Sequence, residues 1–71
     1  MVYDYGSLRG KIVEKCGTIE KFSSEIGITS VSVGRKLSNK SEWKKDEIVN
    51  SCNVLSLDFS QIPQYFFRIT V

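Results

Sequence analysis

The 71-residue sequence predicts an all-α fold, a compact bundle of about five short helices. Three observations predict it. Apolar residues recur three and four apart in successive short runs, the spacing of one helix face. Each run is bounded by residues that start or stop helices, and the chain has a single proline, Pro63. Hydrophobic residues make up 41% of the chain, enough for a core and too many for a disordered segment.

The elements follow in order. Asp4 can cap a first helix whose apolar face is Leu8, Ile12 and Cys16, widened by Val13, with Gly17 as its stop. Thr18 caps a second, with Ile19, Phe22 and Ile26 on one face and Gly27 at its end. Ile28 is a short link. Thr29 or Ser30 caps a third helix that turns Val33 and Leu37 inward and ends at Asn39, a residue that tolerates the left-handed conformation. Ser41, Glu42 and Trp43 connect to a fourth helix. Asp46 and Glu47 suit the positive end of its dipole, and Ile48, Cys52 and Leu55 form its apolar face. Asp58 and Gln61 have the spacing of a capping box opening a short fifth element, which Pro63 limits or restarts. The tail Arg68-Ile69-Thr70-Val71 has β propensity at its end but is too short for a sheet, and its conformation stays open. No repeat, linker or low-complexity stretch divides the chain, so residues 1–71 read as one domain.

The net charge, +2 from ten basic and eight acidic residues, excludes little. Its distribution says more. Arg35, Lys36, Lys40, Lys44 and Lys45 are half of the basic residues, and Glu42 is the one acid among them. Such a patch suits a polyanion. Cys16 and Cys52 each lie among apolar residues at helical spacing, with no histidine and no paired-cysteine motif in the chain, so both read as reduced core thiols and no metal site is expected. No secretory leader or membrane span is evident, and a cytoplasmic, nucleoid-associated location is the expectation. An enzyme is not expected either. No catalytic residues, cofactor site or small-molecule substrate site can be placed, because no nucleophile has a base beside it and no glycine-rich loop is built for phosphate.

The stretch from Ile19 to Asn39 carries the function. Ser23 is small where two helices would cross closely. Gly27 sits at a sharp turn, and Ile28 and Val33 would lock the second helix of the pair onto the first. This small residue, glycine and branched apolar residue, at Ser23, Gly27 and Val33, resemble the helix-turn-helix of the Cro and C1-repressor family, whose fold is the lambda-repressor-like DNA-binding domain. Tyr3-Asp4-Tyr5, Leu8-Arg9-Gly10, Arg35-Lys36-Leu37, Lys40-Ser41-Glu42, Ile62-Pro63 and Tyr65-Phe66-Phe67 resemble a group of short, uncharacterised phage proteins over nearly the whole chain. The sequence departs from the Cro pattern at Ile19, where a glutamine is usual, and at Ser38-Asn39, where Asn-Gly is usual.

The resemblance implies sequence-specific binding of double-stranded DNA by a phage or prophage transcriptional regulator, with a homodimer reading paired half-sites. Thr29, Ser30, Val31, Ser32 and Arg35 would face base edges in the major groove, Val31 toward a thymine methyl and Arg35 toward a guanine. Thr29 and Ser30 serve equally as helix caps. Lys36 has two readings, a DNA contact or a buried position. Ser38, Lys40, Ser41 and Lys44 would lie along the phosphates, where they position without reading sequence. Trp43 reads as an anchor for the loop. Tyr65, Phe66 and Phe67 cannot all be core in so small a domain, and a self-association surface is expected there. The alternative is a protein-interaction module, antirepressor or antitoxin-like, that keeps the fold without sequence-specific DNA binding.

Overall fold

The computed structural model describes residues 2–70, and its architecture is all-α, as expected. The helices are α1 (Gly6–Cys16), α2 (Ile19–Ile26), α3 (Ser30–Leu37), α4 (Lys45–Leu55) and α5 (Ile62–Phe66), with one 3-10 turn, Phe59–Gln61, running directly into α5. Helix α2 packs on α1, α3 and α4, and α1 packs on α4 and α5. Among the described residues no helix is long and apolar enough to cross a membrane, and no group of three or more His, Cys, Asp or Glu is placed to hold a metal.

The helix starts are set by hydroxyl caps. Thr18 accepts the Lys21 N–H at 3.1 Å, and Thr29 accepts the Ser32 N–H at 3.1 Å. Asp4 departs from its expected role. Tyr5 occupies the cap position of α1, and Asp4 sits one residue earlier, where its carboxylate accepts the Gly6 N–H at 2.9 Å. The stops are left-handed residues. Gly27 (φ 81), Asn39 (φ 63) and Ser56 (φ 57) follow α2, α3 and α4. Beyond each, an N–H folds back to a carbonyl of the last turn: Ile28 to Ser23, Lys40 to Arg35 and Leu57 to Cys52. A Cβ at Gly27 would meet only open space, so the cost of Gly27→Ala is the left-handed backbone alone, about 1–2 kcal/mol. Urea denaturation should read that loss. A cost near zero would mean that the turn can relax to negative φ.

The core is one cluster: Leu8 and Ile12 of α1, Phe22 and Ile26 of α2, Val33 and Leu37 of α3, Cys52 and Leu55 of α4, then Leu57, Tyr65 and Phe66, with Tyr5 at its edge. Cys16 is half-buried against it and Cys52 is buried, both as free thiols. Burial pushes both thiols above their ordinary pKa, with Glu25 adding to the effect at Cys16 and Asp58 at Cys52, so neither is an activated thiolate.

Two expectations change. Val13 is 61% exposed, because no element covers that side of α1. The aromatic triplet is divided: Tyr65 and Phe66 are core, and Phe67 alone is half exposed. The interface reading therefore fails for the first two. Trp43 packs edge-on against Phe66 (5.3 Å between ring centres) and Tyr5 (6.4 Å), as an anchor for its loop should. The tail runs antiparallel to the N-terminus through a single bridge, Tyr3 to Ile69, with Asp4 N–H donating to Arg68 and Thr70 N–H to Val2. Val71, the last residue of that expectation, lies outside the described residues.

Candidate nucleic-acid interface

Helices α2 and α3 are eight residues each and are joined by Gly27, Ile28 and Thr29. Ser23 is buried at the start of this arrangement, and its hydroxyl donates to the Ile19 carbonyl at 2.7 Å, so a side chain of its size leaves no unpaired polar group. Ile28 packs against the core, and Val33 is fully buried. Apolar contacts on both sides of the turn thus fix α3 against α2.

The opposite side of α3 is free. Val31 is 72% exposed, Arg35 one turn on is exposed, and Ser38 extends the same line. Thr29 is exposed, while Ser30 and Ser32 are half-buried at the edge of this face. The Thr29 hydroxyl is engaged with Ser32, accepting from its N–H and donating to its Oγ at 3.0 Å, so Thr29 serves as a cap before anything else. Lys40, Lys44 and Lys45 are exposed beyond the helix, and Ser41 is half-buried. Arg35, Lys40, Lys44 and Lys45 make no ion pair among the described residues, whereas Lys11, Lys15 and Arg68 elsewhere do. The structure thus brings Thr29, Val31, Arg35, Ser38, Lys40 and Lys44 to one exposed, cationic stretch of chain.

Lys36 is not part of it. The residue is 7% exposed, and its ammonium donates to the Glu42 carbonyl at 3.0 Å and pairs with Glu47 Oε1 at 3.2 Å. The reason is register. Lys36 follows Val33 by three residues and precedes Leu37, so it falls on the stripe of α3 that faces inward. Glu47 also accepts the Lys44 N–H at 2.8 Å, which caps α4. Lys36 therefore ties α3 to the start of α4 and is unavailable to a ligand. Sequence reasoning gave Glu47 only a dipole role and missed this pairing.

It also missed the side chain of Asn39. Its amide nitrogen donates to the Tyr3 carbonyl at 3.0 Å and its amide oxygen accepts the Tyr3 N–H at 2.8 Å, tying together residues 36 apart. A further feature adjoins the cationic stretch: an open apolar groove lined by Trp43, Ile48, Val49, Phe59, Ile62 and Phe67, with Lys45 at its rim. Phe59 is 59% exposed there.

Comparison with known proteins agrees with a phage origin for this architecture. No curated protein matches the chain. A solved structure that it resembles is the solution structure of the modulator of repression of the temperate bacteriophage TP901-1 from Lactococcus lactis, at 46% identity and a TM-score of 0.81, covering 99% of this chain and 97% of that one. Residues 1–69 match the family described as protein of unknown function DUF739. The chain, from its N-terminal arm through all five helices to the bridge at Ile69, belongs to that family.

Proposed function

We propose that this chain regulates repression in a bacteriophage, and that its exposed α3 face and the loop after it meet double-stranded DNA. The observation that carries the first half is the 46% identity, over nearly the whole of both chains, to a phage modulator of repression. The second half rests on residues. A helix fixed by its apolar side presents Val31 and Arg35 outward, and unpaired cations continue from it along a loop, which is the arrangement that enters a major groove and follows phosphates. A homodimer on a paired operator and a nucleoid location extend this reading.

A second reading has its own support. The groove formed by Trp43, Val49, Phe59 and Phe67 offers exposed aromatic surface that a DNA contact leaves uncovered. A regulator that modulates repression by holding a protein partner would use it. One experiment separates the two. Fluorescence anisotropy with phage intergenic DNA and scrambled DNA, at low and near-physiological salt, should give a preference for the former that Arg35→Ala removes. Losing one bidentate base contact should cost about 1–3 kcal/mol. Absence of binding even at low salt would sink the DNA half and leave the protein partner.

A further inference from the structure

The loop after α3 carries Lys40, Ser41 and Lys44 but has no secondary structure of its own, so something must hold it. Two connections do. One is Lys36 reaching to Glu42 and Glu47, described above. The other is Asn39. Its backbone is left-handed at φ 63, which lets Lys40 N–H return to Arg35 at 2.8 Å and turns the chain out of α3. Its side-chain amide makes the paired bonds to both backbone groups of Tyr3. Tyr3 is itself held from its other side. Its neighbours Val2 and Asp4 bond to Thr70 and Arg68, so its own N–H and C=O point away from the tail and toward Asn39. The N-terminal arm is therefore a fixed post, and Asn39 fastens the loop to it.

Resting on the DNA reading above, we propose that Asn39 is a positioning residue for phosphate contact: it makes no base contact and sets where Lys40 stands. An ammonium on a flexible stem gains little from a phosphate if its backbone must also be ordered on binding. With the loop pre-fixed at Asn39, that ordering is already complete in the free protein. Asn39 suits both tasks, since it tolerates the left-handed backbone and sets an amide N–H and its carbonyl oxygen side by side in one plane, as pairing with a residue's C=O and N–H requires.

The test uses Asn39→Gly, Lys40→Ala and the double variant in the full chain. Glycine keeps the left-handed turn without strain and removes only the amide, so the fold should survive, with urea denaturation as the check. Hydrogen exchange at the Tyr3 amide, read without DNA, should accelerate in Asn39→Gly. Affinity for duplex DNA at low salt should fall about tenfold, and the slope of log affinity against log salt should shrink by about 1, the signature of one lost phosphate contact. In the Lys40→Ala background the same substitution should add almost nothing, because the lysine it positions is gone. An unchanged slope, or a full additional loss in that background, overturns the proposal while leaving the DNA reading intact. Unprotected Tyr3 in the parent chain overturns it too, by removing the clamp. A parent chain that binds no DNA at any salt overturns the reading and this inference together, whatever Tyr3 exchange shows.

Discussion

Replacing Glu47 by alanine is expected to remove about 3–5 kcal/mol of stability, the usual cost of breaking a buried ion pair from one side. Lys36 and Glu47 are each 7% exposed and 3.2 Å apart, so neither charge is solvated enough to tolerate losing its partner. The variant leaves the ammonium with the Glu42 carbonyl as its remaining acceptor. It also frees the Lys44 N–H, which Glu47 caps, at the start of α4. At about 0.05–0.15 kcal/mol per residue, a domain of this size holds on the order of 4–11 kcal/mol in total, so the variant should lose roughly a third or more of its stability. The double variant Lys36→Met/Glu47→Leu should recover the part due to the stranded charge, because an apolar pair of similar volume has none to desolvate, but not the cap on the Lys44 N–H or the bond to the Glu42 carbonyl. Urea midpoints of the three chains decide it. A Glu47→Ala cost below about 1 kcal/mol would show a pair that water screens, as surface pairs are.

This pair marks where sequence reading ran out. Thr18, Thr29, Gly27 and Asn39 were legible as starts and stops because capping is local: the side chain and the backbone it satisfies lie within three residues. Ser56 was not legible, since serine has no special ease in the left-handed region. It stands at φ 57 because Leu57 must turn back into the core, which is a tertiary demand. Val13 shows the converse failure. Periodicity marks which residues share a face and cannot say which of two neighbouring faces another helix will cover. At the candidate interface, Val31, Arg35 and Ser38 came out exposed as expected because the inward stripe of α3 fixes the outward one. Lys36 was lost to a partner eleven residues later, and Asn39 gained one thirty-six residues earlier. Such pairings depend on how helices cross, and a charge or amide in a linear sequence gives no sign of them.

The aromatic triplet yields the other large effect, because adjacent residues should differ sharply. Phe66→Ala is expected to cost about 3–5 kcal/mol, as deletion of a buried phenyl ring does when its surroundings cannot collapse into the space. Phe66 is 1% exposed, and its ring stands edge-on to Trp43 with centres 5.3 Å apart. Helix α5 has only five residues, far below the length at which a helix is stable alone. Its attachment to α1 and α4 depends on Tyr65 and Phe66, and the bridge at Ile69 follows from that attachment. Losing Phe66 should thus release α5 and the tail together. Phe67→Ala, one residue on, removes a ring that is half exposed and stands edge-on to Tyr3 with centres 6.0 Å apart, and should cost only about 0.5–1.5 kcal/mol. Trp43 is the single tryptophan and touches Phe66 directly, so its fluorescence in urea reports both variants at the site of interest. Equal costs for the two would mean that α5 is seated through Phe67 and that the exposed groove beside it is closed in solution. If the costs separate as expected, α5 is seated through Phe66, and a loss of function in Phe67→Ala with the Tyr3 amide still protected from hydrogen exchange reads as loss of a partner from that groove.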